Sequence, residues 1–72
     1  MVSGAEFASY RLRYLRADGS FARVAELRCA DDGEALRRAA GEGGDYAALE
    51  ISCGNRLVWC GLRGDATTAA AA

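Results

Sequence analysis

The sequence predicts an α+β fold in which two β-hairpins form a four-stranded, mainly antiparallel sheet, with one short helix packed on one face (ββαββ). The turn dipeptide Asp18-Gly19 separates two segments in which apolar and polar residues alternate, and Gly54-Asn55 is a second two-residue turn signal between two strand-like segments. Between these hairpins, the acidic run Asp31–Glu34 precedes an alanine-rich segment with helical spacing. These three observations fix the order strand, strand, helix, strand, strand.

The first hairpin turns at Asp18-Gly19. With a two-residue turn, Tyr14 faces Arg23, and Arg11 faces Glu26 in a favourable cross-strand pair. The face predicted to be buried holds Tyr10, Leu12, Tyr14, Phe21, Ala25, Leu27 and Cys29, and the other face holds Arg11, Arg13, Leu15, Ala22, Val24, Glu26 and Arg28. A slipped register with a glycine bulge would exchange the partners in the second strand. We prefer the simple turn because it groups the large apolar residues of both strands.

The helix is predicted to run from about Asp32 to Ala40. Asp31 is a good N-cap, and Glu34, three residues later, completes a capping-box-like pair. Gly41 can close the helix. Its apolar stripe consists of Ala35, Leu36, Ala39 and Ala40. A helix this short does not persist alone, so it must lie on the sheet.

The second hairpin is predicted to turn at Gly54-Asn55, so that Cys53 pairs with Arg56 and Ile51 faces Val58. The core face then holds Ala47, Leu49, Ile51, Cys53, Val58, Cys60 and Leu62, and the outer face holds Ala48, Glu50, Ser52, Leu57 and Trp59. The outer face is therefore polar in one strand and apolar in the other.

The chain has 72 residues, which is the size of one small domain. We expect a frayed N-terminus over residues 1–6, a single ββαββ domain over 7–63, and a disordered Ala-rich tail over 64–72. A domain of this size buries only ~60% of the surface of its unfolded chain, so its core is thin. Oligomerisation is a natural remedy for a thin core.

The charged residues restrict the classes of function. Nine basic residues, all Arg, oppose ten acidic ones, and the chain has no His and no Lys. Nucleophilic catalysis usually needs an activated nucleophile beside a His base, so we expect no enzyme and no cofactor. A net charge of −1 argues against a dedicated nucleic-acid or membrane-surface binder, because both rely on a positive field.

Three cysteines, Cys29, Cys53 and Cys60, are an odd number for a disulfide framework and lack the close-spaced pairs of a zinc site. We expect reduced, buried structural thiols and no bound metal. We expect no secretory signal, because residues 1–4 lack a basic segment followed by an apolar run, and no apolar run is long enough to span a membrane. These features predict a cytoplasmic protein.

Several segments resemble a group of proteins. The runs Leu27–Ala35 and Gly54–Val58, with Tyr10–Leu12, Asp18-Gly19 and Leu49–Ile51, are similar to small uncharacterised bacterial proteins of hairpin–helix–hairpin build. The resemblance covers most of residues 10–62. It implies the ββαββ fold and no activity.

The predicted outer face of the sheet is the candidate site of function. Its candidate interface residues are Trp59, Leu57, Glu50, Arg11, Arg13 and Val24. A Trp with several aliphatic residues on an unpaired face favours a non-catalytic protein–protein interaction module, most simply a homodimer through this face or a sheet edge. The alternative is single-stranded nucleic-acid binding on the same face, which the interleaved acids argue against. No small-molecule substrate is evident.

Overall fold

The computed structural model describes residues 7–42 and 45–71. In chain order, the elements are β1 (Ala8–Leu15), β2 (Phe21–Cys29), α1 (Asp32–Gly41), β3 (Ala48–Cys53), β4 (Arg56–Leu62) and α2 (Arg63–Ala71). The strands form one sheet in the order β2-β1-β3-β4, and every neighbouring pair is antiparallel. The predicted α+β class and four-stranded antiparallel sheet are confirmed. The N-terminus 1–6, predicted to be frayed, lies outside the described residues.

The first hairpin has the predicted register along most of its length but a different turn. Arg11 pairs with Glu26 and Tyr14 pairs with Arg23, as expected. At the tip, the Gly19 N–H donates to the Arg16 carbonyl over 2.9 Å, and Gly19 has a φ of +89°. The loop therefore contains three residues rather than two, because Gly19 can adopt the left-handed conformation that closes it.

A bulge in β2 compensates for the longer loop. Leu15 pairs with Phe21, the next pair is Tyr14 with Arg23, and Ala22 is the extra residue. Since paired residues share a face, Phe21 leaves the predicted core face and is 56% exposed. Ala22 packs against the core instead. The predicted faces of Phe21 and Ala22 are both wrong.

Helix α1 begins as predicted. The Asp31 carboxylate accepts a hydrogen bond from the Glu34 N–H over 2.8 Å, and the Glu34 carboxylate accepts one from the Ala30 N–H over 2.6 Å. The first bond satisfies a backbone donor that the first helical turn leaves without a partner, and the second satisfies the backbone N–H of the residue before the N-cap. The helix ends one residue later than expected: Gly41 is its last residue and Glu42 is the C-cap.

The second hairpin also contains a bulge that the sequence pattern missed. Cys53 pairs with Arg56, as predicted, but Ser52 pairs with Leu57 and Ile51 with Trp59. Val58 is therefore the extra residue, and the predicted pair of Ile51 with Val58 is wrong. Beyond the bulge, β4 turns its residues to the opposite faces from those predicted.

As a result, two large side chains and one thiol lie on the opposite face of the sheet from the one predicted. Trp59 packs against the core, whereas Leu62 is 62% exposed and Cys60 is exposed. Gly61 makes room for the indole, because a Cβ at this position would lie 2.8 Å from Cη2 of Trp59. A glycine inside a strand here marks a close approach.

The segment 64–72, predicted to be disordered, contains most of α2, so that prediction is wrong. The Arg63 N–H donates to the Ala47 carbonyl over 2.9 Å where the helix begins, and Ala66 is fully buried. Helix α2 contacts α1, β3 and β4, whereas α1 contacts β2. The two helices therefore cover the two halves of one sheet face, which we call the closed face.

The core lies between the closed face and the two helices. Its buried members are Tyr10, Leu12, Tyr14, Cys29, Ala35, Ala39, Tyr46, Leu49, Ile51 and Ala66. At one end, the Asp32 carboxylate accepts a hydrogen bond from the Tyr10 hydroxyl over 2.7 Å and two from Arg56, over 2.7 and 3.0 Å. This cluster ties the start of α1 to β1 and β4.

Candidate functional site

The side of the sheet away from the helices is the candidate site, and we call it the open face. Residues that alternate with the buried core positions form three rows across the strands β2, β1, β3 and β4. The first row is Phe21, Leu15, Ala48 and Leu62, the second is Val24, Arg13, Glu50 and Cys60, and the third is Glu26, Arg11, Ser52 and Leu57. No helix of the described chain lies over these rows.

The first row is entirely apolar, and we call it the apolar row. Its ends are Phe21, 56% exposed, and Leu62, 62% exposed, and between them lie the half-buried Leu15 and Ala48. Val24, in the second row, is 52% exposed beside it. A contiguous apolar strip that crosses a whole sheet face is a feature of interaction surfaces, whereas scattered single residues are not.

The charged residues of the second and third rows are paired within the chain, and Arg28, which pairs with Ser9 beyond the third row, is a further guanidinium on this face. Arg13 donates to the Glu50 carboxylate over 3.1 Å and to the Ser52 hydroxyl over 3.3 Å, which links β1 to β3. Arg11 donates to the Glu26 carboxylate over 2.9 Å and links β1 to β2. Each guanidinium of the second and third rows is matched by a carboxylate, so these rows present alternating charges and little net field.

A shallow depression of about 280 Å³ lies beside these ion pairs. Its lining consists of Ser9, Tyr10, Arg11, Arg13, Glu26, Ser52, Gly54 and Asn55. The depression is polar and accessible to solvent, and it is wide enough for a side chain of another molecule to enter.

Five of the six predicted interface residues lie on the open face: Leu57, Glu50, Arg11, Arg13 and Val24. The sixth residue, Trp59, does not, because the bulge at Val58 turns it toward the core.

Sequence reasoning missed the apolar row. Phe21 and Leu62 were assigned to the core, and Leu15 and Ala48 were assigned to the outer face without being recognised as their neighbours. The signal that could have corrected β4 is Gly61, since a glycine two residues after a Trp in a strand leaves room for the indole on the same face.

On the closed face, near the tip of the first hairpin, two tyrosine rings and two guanidinium groups pack against one another. The Arg23 guanidinium lies 4.3 Å from the centre of the Tyr14 ring, and Arg63 lies 4.8 Å from that of Tyr46. The two tyrosine rings meet edge-on at 4.9 Å. Burial raises the pKa of the Tyr14 hydroxyl, so this group is a neutral part of the core.

The three cysteines occupy different environments. Cys29 is buried, and burial raises the pKa of its thiol. Cys53 is half-buried, whereas Cys60 is exposed on the open face, so the prediction that Cys60 is buried is wrong. Among residues 7–42 and 45–71, no three Cys, Asp or Glu side chains come together as metal ligands would.

Comparisons with protein-family models, with curated proteins and with solved structures find no match for this chain. Within the part of the chain that the structure describes, no helix is both long enough and apolar enough to cross a membrane.

Proposed function

We propose that this protein is a small non-catalytic interaction module that self-associates through the open face. The observation that carries the proposal is the apolar row, which exposes Phe21, Leu15, Ala48 and Leu62 across all four strands on the side that no described helix covers. Burial of apolar surface is the main driving force of protein association, and a second copy of this chain would bury this row.

The edges of the sheet are poorer interaction sites than the open face. Both edge strands contain a bulge, at Ala22 in β2 and at Val58 in β4. Bulges interrupt the regular row of free backbone groups that a strand from another molecule would need for pairing. This argument favours the face over the edge.

The electrostatics of the open face favour a protein partner over nucleic acid. Arg11 and Arg13 already bind Glu26 and Glu50, and both pairs are partly exposed. Single-stranded nucleic acid would need an uncompensated positive groove with several aromatic platforms. A second copy meets this face without leaving a charge buried and unpaired.

The size of the open face sets the strength of the association. Four strands spaced ~4.8 Å apart and six residues long present about 400 Å² of flat area. The ~800 Å² per partner of a standard interface is accessible surface, which exceeds flat area, so the open face can form an interface at the small end of the range and we expect a weak dimer that forms at micromolar concentration. The thin core favours such a dimer, since three of the ten described core residues are Ala.

The setting of the proposal is the bacterial cytoplasm, in keeping with the resemblance to small bacterial proteins of the same build. A reducing compartment keeps the exposed Cys60 as a free thiol and leaves self-association to the apolar row.

Sedimentation velocity over a range of concentrations tests the proposal. Wild-type protein should pass from one chain to two as its concentration rises through the micromolar range. Leu62→Glu, which places a charge at the end of the apolar row, should remain monomeric. The matched control is Thr67→Glu, which adds the same charge at an exposed site on α2 and should dimerise like the wild type. A monomeric wild-type protein at high concentration would contradict the proposal, as would steeply salt-dependent binding to single-stranded DNA.

A further inference from the structure

The pattern of the open face specifies how two copies fit together. Resting on the proposed self-association, we infer that the dimer has its two-fold axis parallel to the strands, between the central strands β1 and β3. The two open faces then stack, and the order β2-β1-β3-β4 of one copy lies over β4-β3-β1-β2 of its partner. Each row of one copy faces the same row of the other, read in the opposite direction.

In this arrangement the apolar row packs against itself with complementary sizes. Leu15 on β1 lies over the partner's Ala48 on β3, so that a large side chain meets a small one. At the edges, Phe21 lies over the partner's Leu62. Because the axis is two-fold, both contacts occur twice, and the most exposed apolar side chains of the row are covered together.

The second row supplies charge complementarity. Arg13 lies over the partner's Glu50, and Glu50 lies over the partner's Arg13. Each guanidinium already donates to the Glu50 of its own chain through one nitrogen, and its planar fork carries further donors. The four charges therefore form an alternating square across the axis, in which every neighbour has the opposite sign.

Other axes do not satisfy both rows. A two-fold axis that runs across the strands along the second row places β1 over the partner's β1 and brings Arg13 beside the partner's Arg13. It also lays the apolar row over the third row, so that Phe21 meets the partner's Glu26. Like charges across an interface and a carboxylate buried against a phenyl ring both oppose association.

The spacing of packed sheets is compatible with these contacts. Aligned sheets lie ~10 Å apart with their strands rotated by ~30°, a separation that side chains from both faces fill. The rotation displaces the edge strands most and the central strands least. The ion pairs between Arg13 and the partner's Glu50 are therefore better fixed than the edge contacts.

A charge-exchange experiment tests the axis. Arg13→Glu makes positions 13 and 50 both acidic, and Glu50→Arg makes them both basic, so each variant alone should dimerise at least about tenfold more weakly than wild type. An equimolar mixture should recover a dimer within a few-fold of the wild-type affinity, because unlike charges now meet across the axis. Circular dichroism checks that both variants are folded.

The matched control separates this pairing from general attraction between oppositely charged chains. Arg28→Glu changes the net charge as much as Arg13→Glu does, but it lies beyond the three facing rows. Because Arg28→Glu keeps Arg13 and Glu50 and can dimerise with itself, the readout is the binding of fluorescently labelled Glu50→Arg, which should be weaker with Arg28→Glu than with Arg13→Glu. Equal binding of labelled Glu50→Arg to both acidic variants would overturn the proposed axis.

Crosslinking supplies a second test that does not depend on the charge variants. Val24 on β2 and Cys60 on β4 belong to opposite edges of one sheet, three strand spacings or ~14 Å apart, but the axis brings Val24 over the partner's Cys60. In a Cys53→Ser background, Val24→Cys treated with a short bis-maleimide should give a covalent dimer. The matched control Arg28→Cys, four residues along the same strand, should give no covalent dimer. The Cys53→Ser chain alone, whose only exposed thiol is Cys60, should give none either.

The outcomes distinguish the two levels of the proposal. Two chains in sedimentation, together with the Val24→Cys crosslink, support the axis. Two chains without that crosslink, or a crosslink that persists when Cys60→Ser is added to Val24→Cys, would overturn the axis and leave self-association intact. A protein that remains monomeric would overturn both.

Discussion

Both faces of the sheet carry large apolar side chains but bury them to different extents. On the closed face, Leu12 and Ile51 are 1% and 0% exposed beneath the helices α1 and α2. On the open face, Phe21 and Leu62 are each more than half exposed. The first pair lies on the central strands β1 and β3 and the second on the edge strands β2 and β4 of the same sheet, and the helices cover only the closed face.

On the closed face, the fold of the single chain explains the apolar residues, because the helices bury them. Two short helices suffice to cover one side of a four-stranded sheet when their facing residues are small, as Ala35, Ala39 and Ala66 are. The apolar row on the other side has no such explanation within the described chain. This exposed row is the observation that supports the proposed self-association.

The largest expected effect is a difference in the free energy of unfolding between truncations on the closed face and on the open face. Ile51→Ala removes buried side-chain volume from the closed face and should lower the free energy of unfolding by about 2–5 kcal/mol. The same kind of truncation on the open face, Leu62→Ala, should cost under about 1 kcal/mol when measured at a concentration at which the protein is monomeric. Urea denaturation of both variants checks this, and equal losses would contradict the distinction between the faces.

A smaller effect is expected where the closed face reaches the edge of the sheet. Gly61→Ala places a Cβ against the Trp59 indole and forces the ring or the strand to move. We expect a loss of about 1–3 kcal/mol in stability, as for other overpacked sites. The fluorescence of the single Trp should shift to longer wavelength because the displaced indole becomes more exposed to water. An unchanged spectrum would show that Trp59 does not pack over Gly61.

Much of this fold could be predicted from local signals. The dipeptides Asp18-Gly19 and Gly54-Asn55 placed both hairpins, and Asp31 placed the start of α1. The predicted pairing of Arg11 with Glu26 is confirmed although the loop is one residue longer than predicted, because the bulge at Ala22 offsets that residue. These features depend on a few residues that are close together in the chain, which is why a single sequence reveals them.

The open face was harder to predict because it depends on two bulges. The side-chain period of a strand is two, so one extra residue sends every later side chain to the other face. Ala22 compensates for a longer loop and so affects only the hairpin tip, whereas Val58 redirects Trp59, Cys60 and Leu62. After Arg56, β4 is apolar at nearly every position and does not alternate, so its pattern is consistent with either register and the sequence alone could not decide between them.

Helix α2 was missed for a different reason. The segment after Leu62 is rich in Ala and has no large apolar residue to mark a buried stripe. Alanine nevertheless has the highest intrinsic helix propensity, and a helix of small residues can pack closely against another. The contact between α2 and α1 and the burial of Ala66 depend on the tertiary fold, which low-complexity composition does not reveal.

The smallest effect concerns the ionic cluster at the end of the closed face. Hydrogen bonds from Arg56 and Tyr10 lower the pKa of the Asp32 carboxyl to about 2, from 3.8. In the unfolded chain this group takes up its proton first as the pH falls, so its contribution to stability is present above about pH 4 and is lost toward pH 2. Asp32→Asn should therefore be less stable than wild type at neutral pH, and the difference should shrink toward pH 2. A difference that is constant with pH would assign the loss to something other than the carboxylate.

The most direct test of the central claim, that a second copy covers the open face, compares Cys60 with Cys29 in one labelling experiment. Cys60 is exposed on the open face, and Cys29 is buried on the closed face of the same sheet. Mass spectrometry of maleimide-treated protein should show Cys60 reacting rapidly at nanomolar concentration and progressively more slowly through the micromolar range, while Cys29 reacts slowly throughout. A Cys60 rate that does not change with protein concentration would contradict the claim.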